Sequence, residues 1–426
     1  MTKTPSPLQI TTLPNGLRVV TYKIDRQATA MSFRFAVGKR YESAEEVGIS
    51  HFLEHILING SKKYPSNHLV KDSVERFGGH MGGSTGDETT QYWSNILIDK
   101  IDQSLDTLAD ITQHPLLNPV DIEKQKSIIL EEINRRKDDP KAYIHYLMDE
   151  LLWPDQPMGR SLEVEEKAIL KIDHRKLRSY LEKYYTNKNT VVTIVGNIEH
   201  DTWVKKIAEE VKNLSEGSPS KFTPAKEQPG IKIKTSTKAT STQTNLKMSL
   251  YGPSSHDQER LPIALTLSIL DKRLREELRY KRALTYSIGA GGHGFSDIGT
   301  ISLAGGFKQG HVKEAIEVFL EQLKILKTTF VSDAELSGAK ARVKSGTVFE
   351  NESAFALRDT YSFRVIAGIE PLLLEESLEL FDQVSPEDIT RVCHKYFNET
   401  YKIAAIGPAE DIKVLESLYG KSTQKA

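Results

Sequence analysis

The feature that most constrains this 426-residue chain is a repeat at half its length. Residues 173–208 read DHRKLRSYLEKYYTNKNTVVTIVGNIEHDTWVKKIA, and residues 387–417 read EDITRVCHKYFNETYKIAAIGPAEDIKVLES. Each predicts a helix ending in Lys-aromatic-aromatic, a turn, an apolar strand, a glycine and a second helix. Tyr184 and Tyr396 are 212 residues apart, and Gly196 and Gly407 are 211 apart. Asp121 and Asp333, each opening a helical pattern, are again separated by 212. One offset of half the length, kept at several places, marks an internal duplication. The chain is too long for one ordinary core, so the repeat predicts two copies of one domain.

Strand-like and helix-like patterns alternate within the copies. Residues 17–23 and 30–37 are rich in β-branched and aromatic residues and read as strands. Residues 101–113 and 121–137 carry apolar positions at helical spacing. The fold class expected is α+β, with two duplicated domains, each a mostly antiparallel sheet with helices packed on it. Residues 215–230, SEGSPSKFTPAKEQPG, read as an exposed linker. The expected domains are therefore 1–214 and 231–426.

Charge excludes some partners. Lys+Arg is 57 and Asp+Glu 58, a net charge of -1, which argues against nucleic acid or an anionic membrane as a bulk electrostatic partner. Cys393 is the only cysteine, so no intrachain disulfide can form. The opening MTKTPSPLQITTLPNG has no apolar core of signal-peptide length. The expectation from these features is a soluble cytoplasmic protein.

The chemistry concentrates in residues 46–58, EVGISHFLEHILI. His51 and His55 are four apart, so a helix sets them on one face. Two imidazoles one turn apart can reach one zinc ion. Glu54, at the same helical edge, can contact a metal-held water without being a ligand. The pattern His-x-x-Glu-His reverses the order of the common zinc-protease helix. A catalytic zinc takes three protein ligands, so a third must come from elsewhere. Residues 128–133, IILEEI, offer Glu131 and Glu132, which point about 100° apart on a helix, so one of them can face the ion.

GISHFLEHILINGSKKYP resembles the first motif of the inverted-zincin peptidases, the family of pitrilysin, insulin-degrading enzyme and mitochondrial processing peptidase. The family's distal glutamate lies 70–80 residues on, in a phrase like ILEEI, so the resemblance assigns the ligand to Glu132. GGHMGGSTGDETTQYW at 78–93 fits the family's substrate-pairing strand, with Gly82 and Gly83 at its centre. RLREELRYKRALTYS at 273–287 is similar to a second motif, which implies that Arg279 and Tyr286 bind substrate. The implied fold is half of a clamshell that closes around unfolded peptides. The implied function is zinc-dependent peptide hydrolysis with Glu54 as general base and one zinc per chain. Having both motifs in one chain implies a homodimer, with a heterodimer of related chains as the alternative. At offset 212 the zinc box falls near residues 263–267, IALTL, which hold no ligand types.

Three departures from the family pattern stand out. Gly82-Gly83 replaces an Asn before Ala. Gln125 replaces a glutamate that supports the site from outside the ligands. The Gly-rich turn before Arg273 is missing, and the chain reads LSILDK. These leave two alternative readings, an inactive shell or partner subunit and a dedicated precursor-processing enzyme.

Other patterns read as structural. GAGGHG at 289–294 matches a dinucleotide-binding spacing, but a strand-like segment follows it instead of a helix, so it reads as a glycine-rich turn. His80 and His293, next to glycines, could line a cavity but read first as exposed turn histidines, and Cys393 reads as a small core residue.

Overall fold

The computed structural model describes residues 6–420. The first sheet contains β1 (Leu8–Thr12), β2 (Arg18–Lys23), β3 (Ala28–Phe35), β4 (His80–Thr85), β5 (Thr90–Leu97) and β6 (Thr190–Gly196). The second contains β7 (Lys232–Thr237), β8 (Gln243–Gly252), β9 (Thr285–Gly294), β10 (Gly299–Lys308) and β11 (Lys402–Gly407). The strand orders are β1-β2-β6-β3-β5-β4 and β7-β11-β8-β10-β9. With β1 set aside, the second order repeats the first strand for strand. The parallel pairs match as well, β2 with β6 and β7 with β11, and the remaining neighbours are antiparallel. The duplication and the mostly antiparallel α+β class are both present.

The helices of the first half are α1 (Ile49–Leu57), α2 (Asn67–Glu75), α3 (Ile101–Gln113), α4 (Pro119–Asp138), α5 (Pro140–Leu152), α6 (Leu162–Ile169), α7 (His174–Tyr184) and α8 (His200–Glu210). Those of the second are α9 (Arg260–Leu274), α10 (Val312–Thr328), α11 (Asp333–Glu350), α12 (Ala354–Ala367), α13 (Leu374–Asp382), α14 (Pro386–Tyr396) and α15 (Ala409–Tyr419). Among the described residues no helix is long and apolar enough to cross a membrane.

The compact units are not the two sequence halves. The first unit takes residues 1–133, 163–223 and 349–373, and the second takes 134–162, 224–348 and 374–426. The change of unit near residue 223 falls inside the expected linker, but two further exchanges were not foreseen. In the second unit α5 buries Ile144, Leu147, Met148 and Leu151 against Tyr251, Ala404 and Ile406. In the first, α12 buries Ala354, Leu357, Tyr361 and Val365 against Val20, Ala30, Val191 and Val195. Each sheet thus has one face covered by a helix from the other half of the chain. That covering explains why β6, TVVTIVG, is buried along its whole length without an alternating exposed side.

Residues 215–230 contain no helix or strand and are mostly exposed, as a linker should be. Lys402, fully buried, fastens the end of this segment: its Nζ donates to the carbonyls of Gln228, Gly230 and Thr400 at 2.6–2.9 Å. Cys393 is buried in the core of the second unit, as expected.

Residues 289–294 correct the sequence reading. They are not a turn but the outer part of β9, an edge strand paired along its length with β10. Glycine lowers strand propensity but leaves the backbone donors and acceptors intact, and one paired neighbour holds the segment extended. His80 and His293 are exposed, as expected, but lie in β4 and β9 and not in turns.

Candidate metal centre

Helix α1 follows Gly48, whose φ of +79° is the left-handed conformation that glycine adopts freely. Glu42 caps the helix, its two carboxylate oxygens accepting from the backbone N–H groups of Gly48 and Ser50, each at 2.9 Å. A carboxylate at a helix N-terminus satisfies orphan donors and complements the helix dipole. Phe52, Leu53, Ile56 and Leu57 are buried. His51, Glu54 and His55 share the half-buried side.

Helix α4 brings up the third group. Gln125 and Glu132 are seven residues apart, two turns on one face. Glu132 Oε2 is 3.7 Å from His51 Nε2, and Glu132 Oε1 is 3.9 Å from His55 Nε2. One ligand atom from each of the three residues lies within 4.8 Å of the other two. Glu131 is exposed. Donors about 2.0–2.1 Å from one tetrahedral ion stand about 3.3–3.4 Å apart, so the three groups are gathered on the scale of one ion's ligand shell, with each donor drawing inward to bind it. Two nitrogens and one carboxylate oxygen suit zinc. The imidazoles stand nearly perpendicular, at 86°, with ring centroids 4.8 Å apart. Burial, then the neighbouring His51, holds His55 below the usual imidazole range, against the pull of Glu132, Glu54 and Gln125. That direction favours the neutral ring, the form with a lone pair for a metal.

Gln125 is buried and its Oε1 lies 3.3 Å from His55 Nδ1. The amide therefore keeps an acceptor on the side of His55 away from the cluster, although it brings no charge.

Glu54 rests against β4, the edge strand. Met81, Gly83 and Thr85 alternate onto the α1 side, and Thr85 Oγ1 contacts Ser50 O at 3.5 Å. A Cβ on Gly83 would stand 2.7 Å from Glu54 Cγ, so the missing side chain makes room for the carboxylate arm. Gly82 faces the other way, where a Cβ would meet the Trp93 ring at 2.9 Å. Its counterpart residue Trp93 carries Arg358 5.2 Å from its ring centroid. Near Glu54, the buried hydroxyls of Tyr92 and Tyr185 lie 3.1 Å apart, and burial holds both phenols above their ordinary range.

The other two predicted residues belong to the second unit. Arg279 is exposed in a π-helical turn, Arg275–Lys281, that continues α9. Tyr286 is 77% exposed and sits at an irregularity of β9: Ser287 pairs with Gly306 and Thr285 with Phe307, leaving Tyr286 without a partner across the ladder. Such a bulge re-aims a side chain out of the sheet.

Sequence reasoning missed two carboxylates. Glu42 precedes the box by nine residues and carries no motif of its own, although an acidic residue shortly before Gly-x-Ser-His was a visible cue. Glu165, on α6, places Oε1 3.6 Å from His51 Nδ1, and nothing in its local sequence announces this.

The insulinase model of peptidase family M16 matches residues 18–166, and the M16 inactive-domain model matches residues 171–343. A protein of Rickettsia felis described as an uncharacterized zinc protease is 29% identical over 408 residues, covering 94% of this chain and 97% of that protein. The Bacillus subtilis protein YmxG, described in the same words, is 24% identical over 412 residues, covering 93% and 98%. A crystal structure of a protease from Helicobacter pylori shares the fold with a TM-score of 0.86 at 19% identity, covering 94% of this chain and 99% of that one. With family models spanning most of its length and relatives matched nearly end to end, this chain belongs to peptidase family M16.

Proposed function

We propose that this peptidase is a zinc metalloendopeptidase that hydrolyses unstructured peptides, with one zinc per chain held by His51, His55 and Glu132. The observation that carries the reading is convergence: both Nε2 atoms and the Glu132 carboxylate face one point, with Glu54 on the same side of α1. Bound zinc supplies a Lewis acid that makes water acidic enough to lose a proton near neutral pH. Glu54 takes that proton as water attacks the peptide carbonyl and hands it to the leaving amine nitrogen. Tyr286 and Arg279 donate hydrogen bonds to the oxyanion and the substrate backbone. The peptide pairs as an added strand with the outer edge of β4 at Gly82 and Gly83, which gives backbone affinity with little sequence selectivity. A homodimer that closes the chamber belongs to the same proposal, because one chain carries both motifs.

The test is cleavage of an internally quenched, unstructured peptide by wild type, chelated wild type and Glu54→Gln. Cleavage by wild type alone supports the proposal. A folded, zinc-loaded wild type that is inert across a varied peptide set would replace it with a shell or partner role.

A further inference from the structure

When Nε2 of an imidazole gives its lone pair to a metal, the remaining ring proton sits on Nδ1 and needs an acceptor. The two histidines differ on that far side. His55 Nδ1 faces the neutral Gln125 amide oxygen. His51 Nδ1 is buried and makes no hydrogen bond, and a carboxylate oxygen, Glu165 Oε1, faces it at 3.6 Å. That separation is a few tenths of an ångström beyond hydrogen-bond length.

Glu165 lies on α6, which packs beside the Gly48 start of α1. A Cβ on Gly48 would stand 2.8 Å from Ile169 Cδ1 and 3.7 Å from Glu165 Cγ, both on α6. The glycine that starts α1 therefore also lets α6 lie close beside it. The Glu165 side chain is 15% exposed and that of His51 is 16% exposed, so solvent competes weakly for the contact.

We propose that Glu165 is a positioning residue for His51. It accepts the Nδ1 proton, fixes Nε2 as the atom turned toward Glu132, and supplies the outer negative charge that Gln125 does not bring to His55. The proposal rests on the zinc reading above and adds a residue to it.

The experiment measures zinc affinity by competition with a chromophoric chelator, and the visible spectrum of the cobalt(II)-loaded protein. The proteins are wild type, Glu165→Ala, Glu165→Gln and His51→Leu. Glu165→Gln keeps shape and an acceptor oxygen, and so covers the case in which the alanine variant fails to fold. The expected result is affinity lowered about 10–100-fold in Glu165→Ala, less in Glu165→Gln, with an altered cobalt spectrum in each and His51→Leu at background. Affinity within about threefold of wild type in both variants, with unchanged cobalt spectra, would overturn the role of Glu165 and leave the zinc reading intact. A wild type that binds no metal would overturn both.

Discussion

In both units a helix lies against the edge strand of its sheet, α1 against β4 and α9 against β9. In the first unit the helix side carries His51, Glu54 and His55, and α4 adds Glu132. In the second, residues 261–270, LPIALTLSIL, contain no histidine or acid, and a cavity of about 530 Å³ opens between Ile263, Ala264 and Leu267 on the helix and Gly291, Gly292 and His293 on the strand. At offset 212 Glu132 gives way to Lys344, which is paired with Asp382 at 2.7 Å. The scaffold of helix over edge strand is thus common to both copies, while among the described residues the cluster of metal-ligand types lies in one of them.

The largest expected contrast is catalytic. Glu54→Gln should lower peptide hydrolysis about 10²–10⁴-fold with the metal retained. Thr266→Val, near the corresponding point of α9, should leave turnover within about twofold, because the buried Thr266 hydroxyl bonds within the core, to Pro262 O of its own helix and beside the Cys393 thiol. Steady-state kinetics on one peptide decide this, and equal losses would break the comparison.

Metal content comes next. Metal analysis should give one zinc per chain. His51→Leu should lose it, and an Ile263→His/Leu267→His variant should not gain a second, because α11 brings the basic Arg342 and no carboxylate to the groove beside Ile263 and Leu267. Two ions in the double variant would show that the second copy lacks only its histidines.

Helix starts supply a smaller difference. Glu42 caps α1 from outside the helix through two N–H groups, whereas at the start of α9 Asp257 Oδ1 accepts from one, that of Glu259, at 2.9 Å. Glu42→Ala leaves two buried N–H groups unsatisfied and should lower stability by about 1–3 kcal/mol in chemical denaturation. Ala substitution of Glu259, the residue before α9, removes no such cap; any change it makes should trace to its ion pairs with Arg391 and Lys395 and the hydrogen bond it accepts from the Tyr396 hydroxyl at 2.6 Å.

How far the sequence could be read follows from the same contrast. His51, Glu54 and His55 were legible because helical spacing fixes them on one face, and Glu132 because its phrase matches the family. The repeat gave the shared sheet plan, since each strand recurs at nearly one offset. The exchange of α5 and α12 was not legible: an amphipathic pattern says that a helix buries a side, not which sheet receives it. Glu165 escaped for a related reason, since its contact with His51 spans more than a hundred residues and depends on how α6 packs beside α1. The glycines of β9 misled because propensity counts side chains while an edge strand is held by its backbone.

Those glycines allow the finest test. A Cβ on Gly291 would meet nothing within 4 Å, whereas one on Gly83 would press on Glu54 Cγ at 2.7 Å. Gly291→Ala should therefore stabilise the protein by about 0.5–1 kcal/mol, by reducing the freedom of the unfolded chain. Gly83→Ala has the same entropic gain but must move either the strand or the Glu54 arm. It should show little net stabilisation, and a kcat lowered several-fold with KM less affected. Placement of a general base to within a fraction of an ångström matters for the proton it abstracts, but hardly for peptide docked along the strand. Equal stabilisation by both substitutions with unchanged kcat would mean that Glu54 swings freely over β4, and that the bare glycine is no part of what distinguishes the first helix–strand groove from the second.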